Sequence, residues 1–159
     1  MNKRLEAIIE KYENLIAQDP HNPEHHKELG NAFHRSGAYE LALAEYRTAL
    51  HIDPTYYPAQ YNMGNTNFAL ERYEQAIIAW QKALIVNPEL EHAVYNIAFV
   101  YYKLGTLEQN REKRQRYFDD AALEFQRALK LRPDNVDTHL HLGLTWYELE
   151  RYDDAIREY

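Results

Sequence analysis

An all-α chain, folded as antiparallel helix pairs stacked into an α-solenoid, is what three features of this sequence predict. Four prolines, Pro20, Pro54, Pro88 and Pro133, follow one another at intervals of 34, 34 and 45 residues. Small and aromatic residues keep the same ruler. Ala42, Ala76, Ala121 and Ala155 form one column, Ala49, Ala83 and Ala128 a second, and Tyr46, Trp80, Phe125 and Tyr159 a third. Within each period the apolar residues recur at helical spacing rather than in the alternation of a strand.

Residues 3–18 come first. Leu5, Ile8, Ile9, Tyr12, Leu15 and Ile16 lie on one stripe that ends before Pro20. This predicts the second helix of a repeat whose first helix is missing, a half repeat over 3–20. Full repeats are expected at 23–56, 57–90 and 91–135, and a partial one at 136–159, about three and a half repeats in all. In the first, His26, Leu29, Gly30, Phe33 and Ser36 make the packing stripe of one helix, and Gly37 can adopt the left-handed conformation that ends it. A second helix opens near Tyr39, buries Tyr39, Ala42, Leu43, Tyr46, Ala49 and Leu50, and stops before Pro54, because proline excludes helical geometry from the residue ahead of it. Gly30, Gly64, Ala98 and Gly143 share a column that lets backbones approach closely, and the large rings fill the space between successive units.

The third repeat holds 11 extra residues between Gly105 and Ala121. That length closes about three helical turns with little phase error. The insertion near 106–116 is therefore expected to lengthen the second helix while Phe118, Ala121 and Phe125 keep facing the core. Its Arg111, Lys113, Arg114 and Arg116 read as a solvated face, with RNA binding as the alternative. Asp119–Asp120 and Asp153–Asp154 are expected at the starts of second helices, where carboxylates suit the helix dipole.

Composition narrows the function. The net charge of −7 argues against a nucleic-acid binder, which needs a basic field. Cysteine is absent, which removes disulfides and thiolate metal sites. Glu6, Glu10 and Glu13 interrupt any signal-peptide core, and no apolar run is long enough to cross a bilayer, so a cytoplasmic location is expected. There is no phosphate-cradling glycine loop and no nucleophile elbow. His139 and His141 diverge on their helix, and His21 and His25 straddle Pro23, so the histidines do not converge at ligand spacing. No catalytic residue, metal or cofactor is expected, and the chain does not read as an enzyme.

The pattern Leu-Gly, Ala, aromatic, Ala, Pro at these offsets resembles the tetratricopeptide repeat, and the resemblance runs from residue 23 to 159. His26, Gln60, Val94 and His139 stand in the column of the family's first-helix Trp. The resemblance implies a superhelix whose first helices line a concave groove for a peptide or partner protein. On that face of the first helices lie Lys27 and Asn31, then Tyr61, Asn62, Asn65 and Phe68, then Tyr95, Asn96, Phe99, Tyr102 and Lys103, and finally Tyr147. Rings give contact area at low entropy cost, and amides both donate to and accept from a peptide backbone. Lys27-Glu28-Leu29-Gly30-Asn31 with Asn62 resembles the start of the family's carboxylate clamp, but His92 and Asn96 stand where its remaining cations belong. Asn62 and Asn96 also match the asparagine ladder of the O-linked N-acetylglucosamine transferase repeats, from which Glu28 and His141 depart. A binding scaffold is the leading expectation, and the substrate-recognition arm of a larger, glycosyltransferase-like enzyme is the alternative. The last repeat leaves an apolar face open, which predicts either a piece of a longer protein or self-association through that face.

Overall fold

The structure is a computed structural model that describes residues 3–159. Among these residues there are nine α-helices and no strand: α1 (Lys3–Gln18), α2 (Pro23–Ser36), α3 (Tyr39–Ile52), α4 (Tyr57–Ala69), α5 (Tyr73–Val86), α6 (Glu91–Leu107), α7 (Arg111–Leu131), α8 (Val136–Glu148) and α9 (Tyr152–Glu158). They form two compact units, one ending at Pro88 and the other starting at Glu89. In the first, α2 pairs with α3 and α4 with α5, while α1 packs on α2 and α3 on α4. In the second, α6 pairs with α7 and α8 with α9, and α7 packs on α8.

Local chemistry sets the helix ends. The side chains of Asn22, Asn110 and Asn135 cap α2, α7 and α8, each accepting a backbone N–H of the first turn at 3.0 Å. Gly37 closes α2 at φ 80°. The same column holds Glu71 at φ 57° and Glu150 at φ 58°, so two side-chain-bearing residues take a left-handed conformation that costs about 1 kcal/mol. Both belong to the tetrapeptide Leu-Glu-Arg-Tyr, at 70–73 and 149–152, and the two copies fold into the same turn.

The fourth member of that column, Gly105, stays inside α6. The extra residues of the third repeat lengthen both of its helices rather than the second alone. Helix α6 has 17 residues and α7 has 21, against 13 or 14 in α2 to α5. By column, Lys103 is the counterpart of Ala69, and α6 runs on through Leu104, Gly105, Thr106 and Leu107. Phe118 is the counterpart of Tyr73, and α7 starts ahead of it at Arg111. The break at Glu108, Gln109 and Asn110 matches the one at Leu70, Glu71 and Arg72. Phe118, Ala121 and Phe125 are buried. Because α7 begins early, Asp119 and Asp120 lie well inside it and not at its start, which overturns the dipole argument for that pair. Burial and the neighbouring Asp119 raise the Asp120 carboxyl instead. Asp153 and Asp154 do sit in the first turn of α9.

The core follows the columns. All seven alanines of the two Ala columns are buried, as are Tyr46, Trp80 and Phe125, whereas Tyr159 is exposed. The glycine column exists for these rings. A Cβ on Gly30 would stand 2.6 Å from the Tyr46 ring, and one on Gly64 would stand 2.3 Å from the Trp80 indole. Tyr39, Leu50, Phe33 and Ser36 are only half-buried. Two further buried columns run along the first helices: Ala59, Ala93 and Thr138, and Ala32, Thr66, Val100 and Thr145.

Candidate functional site

Of the twelve residues expected on the groove face, eleven are half-buried and Tyr147 is exposed. In the first unit Lys27 is already engaged. Its ammonium donates to Glu24 at 2.7 Å and also to Glu28, and the Tyr56 hydroxyl donates to Glu24. Burial alone would lower the Lys27 pKa, but the hydrogen bonds to Glu24 and Glu28 outweigh it and hold it above the ordinary lysine range. The lysine that resembled a carboxylate-clamp residue is thus neutralised within its own helix.

Asn31 is a junction. Its Oδ1 accepts from the Tyr46 hydroxyl at 2.9 Å and from Asn62 Nδ2 at 2.7 Å, and its own amide donates to Glu28 at 3.3 Å. Burial keeps the Tyr46 hydroxyl protonated, its pKa pushed up to about 12. One repeat on, Asn65 Oδ1 accepts from the Trp80 indole N–H at 3.1 Å. Asn31 and Asn65 thus satisfy the polar tips of the buried ring column, a task apart from reading a partner. In the third repeat the ring is Phe125, which has no polar tip, and the column holds Phe99. Phe68 leans on Tyr73 and Trp80, with ring centroids 5.9 and 6.2 Å away.

Beside these residues lies a pocket of about 190 Å³ lined by Asn31, His34, Arg35, Tyr46, Asn62 and Asn65. The Thr66 hydroxyl donates to the Asn62 carbonyl at 2.9 Å, so the His34 contact to Thr66 at 2.8 Å is an Nδ1–H donating to that oxygen. This leaves His34 Nε2 as an acceptor. Burial, with the nearby Arg35 charge, lowers the His34 pKa and keeps the ring neutral.

In the second unit the expected rings converge on one side chain. His141 lies 5.2 Å from Phe99, 5.8 Å from Tyr95 and 6.1 Å from Tyr102 between ring centroids, edge-on to all three, and is stacked on Phe125 at 5.9 Å. Its Nδ1 also meets the Asp137 carbonyl at 2.8 Å. The aromatic wall is therefore partly consumed by the chain's own imidazole. Tyr147 stands apart, edge-to-face with Tyr152 at 5.5 Å. Asn96 and Lys103 are half-buried beside this cluster on α6. A second pocket of about 310 Å³ opens between His92, Tyr95 and the turn from Arg132 to Asp137.

Sequence reading missed a duplicated histidine latch. His26 reaches Glu45 at 2.8 Å and the Pro20 carbonyl at 3.1 Å, and His139 reaches Glu158 at 2.7 Å and the Pro133 carbonyl at 2.8 Å. Each ring ties a first helix to its second helix and to the preceding turn. The hydrogen bond to the Pro133 carbonyl and the Glu158 carboxylate raise the His139 pKa. Pro six residues before and Glu nineteen after each His was the available signal. Among the described residues no group of three or more His, Asp or Glu side chains could hold a metal ion, and no helix is long and apolar enough to cross a membrane.

Comparison with known proteins gives a consistent pattern. A TPR repeat model matches residues 30–71 and again 64–105, and a Tetratricopeptide repeat model matches residues 109–159. No curated protein matches the chain. Among solved structures, MamA from Desulfovibrio magneticus RS-1 superposes with a TM-score of 0.80 at 18% identity, covering 98% of this chain and 82% of that one. Pseudomonas aeruginosa PilF gives 0.78 at 21% identity, covering 92% of this chain and 62% of its own. A thermophilic TPR protein of Thermus thermophilus gives 0.69 at 22% identity, covering 86% and 70%. At these identities the likeness shows the fold.

Proposed function

Because the chain belongs to the tetratricopeptide repeat family, we propose that it is a non-catalytic scaffold that holds an extended peptide, or an extended segment of a partner protein, against the groove face of its first helices. The observation that carries this reading is the unspent hydrogen-bonding capacity of the first-unit pocket. Asn62 gives one amide hydrogen to Asn31 and keeps its Oδ1 and a second N–H, and His34 Nε2 keeps its lone pair. A peptide bond offers one N–H and one C=O, which a side-chain amide meets with both of its ends, whatever the peptide's sequence. The rings at Tyr61 and Phe68, and at Tyr95, Phe99 and Tyr102 in the other unit, supply contact area on the same face of their own helices.

The test is an array of immobilised random dodecapeptides with blocked termini, probed with the intact chain and with an Asn62→Ala, Asn96→Ala double variant. Loss of the Asn62–Asn31 hydrogen bond costs about 1 kcal/mol, and circular dichroism verifies that the double variant is folded. Capture by the parent chain that falls at least about tenfold in the variant supports a backbone-reading groove. Equal capture by both removes the groove face from the account.

A further inference from the structure

We propose that Arg35 turns the first-unit pocket into a subsite for an acidic side chain, Asp or Glu, of the bound peptide. This rests on the peptide-binding reading above and gives it a sequence preference. Arg35 is exposed in the last turn of α2 and lines the pocket beside Asn31, His34 and Asn62. No carboxylate among the described residues pairs with it. Glu28, on the same helix, is already held by Lys27 and by the Asn31 amide. A cation suits a helix C-terminus, which explains why arginine is tolerated there but not why it borders a hollow lined with amides.

The second observation concerns the same residue. Arg35 also lines a hollow of about 320 Å³ with Arg4, Leu5 and Ile8. Arg35 thus borders two hollows of the first unit, within a chain whose net charge is −7. A carboxylate entering from solvent finds a planar donor fork there, whereas a lysine or arginine of the peptide would face like charge. Asn62 Oδ1 and His34 Nε2 accept from the peptide N–H groups on either side, so the acidic residue is fixed in register by its own backbone. The site reads a side-chain carboxylate beside an extended backbone. It does not require a free C-terminus, since Lys27 is engaged by Glu24 and Glu28.

The same blocked dodecapeptide array decides the matter, with Arg35→Gln as the variant; the side chain is exposed, and circular dichroism verifies that the variant is folded. The expected result is enrichment of Asp or Glu at one position among peptides captured by the parent chain, lost in Arg35→Gln. For one selected peptide, changing that acid to its amide should weaken binding to the parent about fivefold and binding to Arg35→Gln less than twofold, as an ion pair open to solvent should behave. Captured peptides without acidic enrichment, or the same acidic peptides bound equally by Arg35→Gln, overturn the subsite and leave the scaffold reading standing. No capture by the parent chain overturns both.

Discussion

Replacing Gly64 with alanine should destabilise the first unit, and replacing Trp80 with phenylalanine in the same chain should restore much of what is lost. A Cβ at position 64 would lie 2.3 Å from Trp80 Nε1, 2.4 Å from Cδ1 and 2.7 Å from Cε2. Carbon atoms in contact sit about 3.5–4.0 Å apart, so the indole must retreat by more than about 1 Å. It has little room, being 2% exposed, and its N–H is held by Asn65 at 3.1 Å. Overpacking costs about 1–3 kcal/mol and the strained hydrogen bond about 1 kcal/mol more, while alanine returns just under 1 kcal/mol of helix propensity. The net loss is about 2 kcal/mol. Trp80→Phe alone loses ring volume and the N–H bond, again about 2 kcal/mol. The chain itself contains the double replacement, because Ala98 and Phe125 hold these two columns in the third repeat and share one buried cluster. The double variant should therefore lose about 2 kcal/mol rather than 4, a coupling of about 2 kcal/mol. Urea denaturation followed by far-ultraviolet circular dichroism measures all four corners of the cycle. If the two losses simply add to within about 0.5 kcal/mol, the ring and glycine columns are not a matched pair and the packing argument is wrong.

Glu71→Gly should stabilise the chain by about 1 kcal/mol, since a left-handed residue at φ 57° gains from losing its Cβ; a lower urea midpoint would contradict the turn geometry. The histidine latch predicts a pH dependence. The His139 pKa is raised in the folded state, so its contribution is fully present below the unfolded value of about 6.5 and fades as the pH climbs through the folded value. The ring stays in contact with solvent, so the effect should remain below about 0.5 kcal/mol. A His139→Gln variant should flatten the difference in melting temperature between pH 5.5 and pH 8.5, and an unaltered difference would assign it to other groups.

The architecture was legible because each period repeats the same few demands: a proline after the second helix, a small residue where backbones meet, a ring between units. Ala32, Thr66, Val100 and Thr145 were not read as core. Alanine and threonine say little about burial on their own, and their place was set by first helix meeting first helix. The candidate site was legible as a set of positions more than as roles. Asn31 and Asn65 looked like readers of a partner, yet each accepts from a ring 15 residues later. The exchange of Asn for Phe99 where the ring becomes Phe125 was visible in the sequence and pointed that way. His141 gave no such sign, because three of its four ring neighbours sit on a helix two elements earlier and the fourth, Phe125, on α7. Arg35 looked ordinary in the sequence, because only the structure brings it beside both hollows.

The lengthened pair α6 and α7 implies a rule for how such a chain can grow. Four residues added to the first helix advance the wheel by about 400° and seven added to the second by about 700°, so each addition nearly completes whole turns and the inward faces stay inward. Natural or engineered variants of this repeat should accept surplus in steps of about four or seven residues per helix. A surplus of five or nine would leave roughly half a turn over and bring the connecting turn out on the wrong side of its helix.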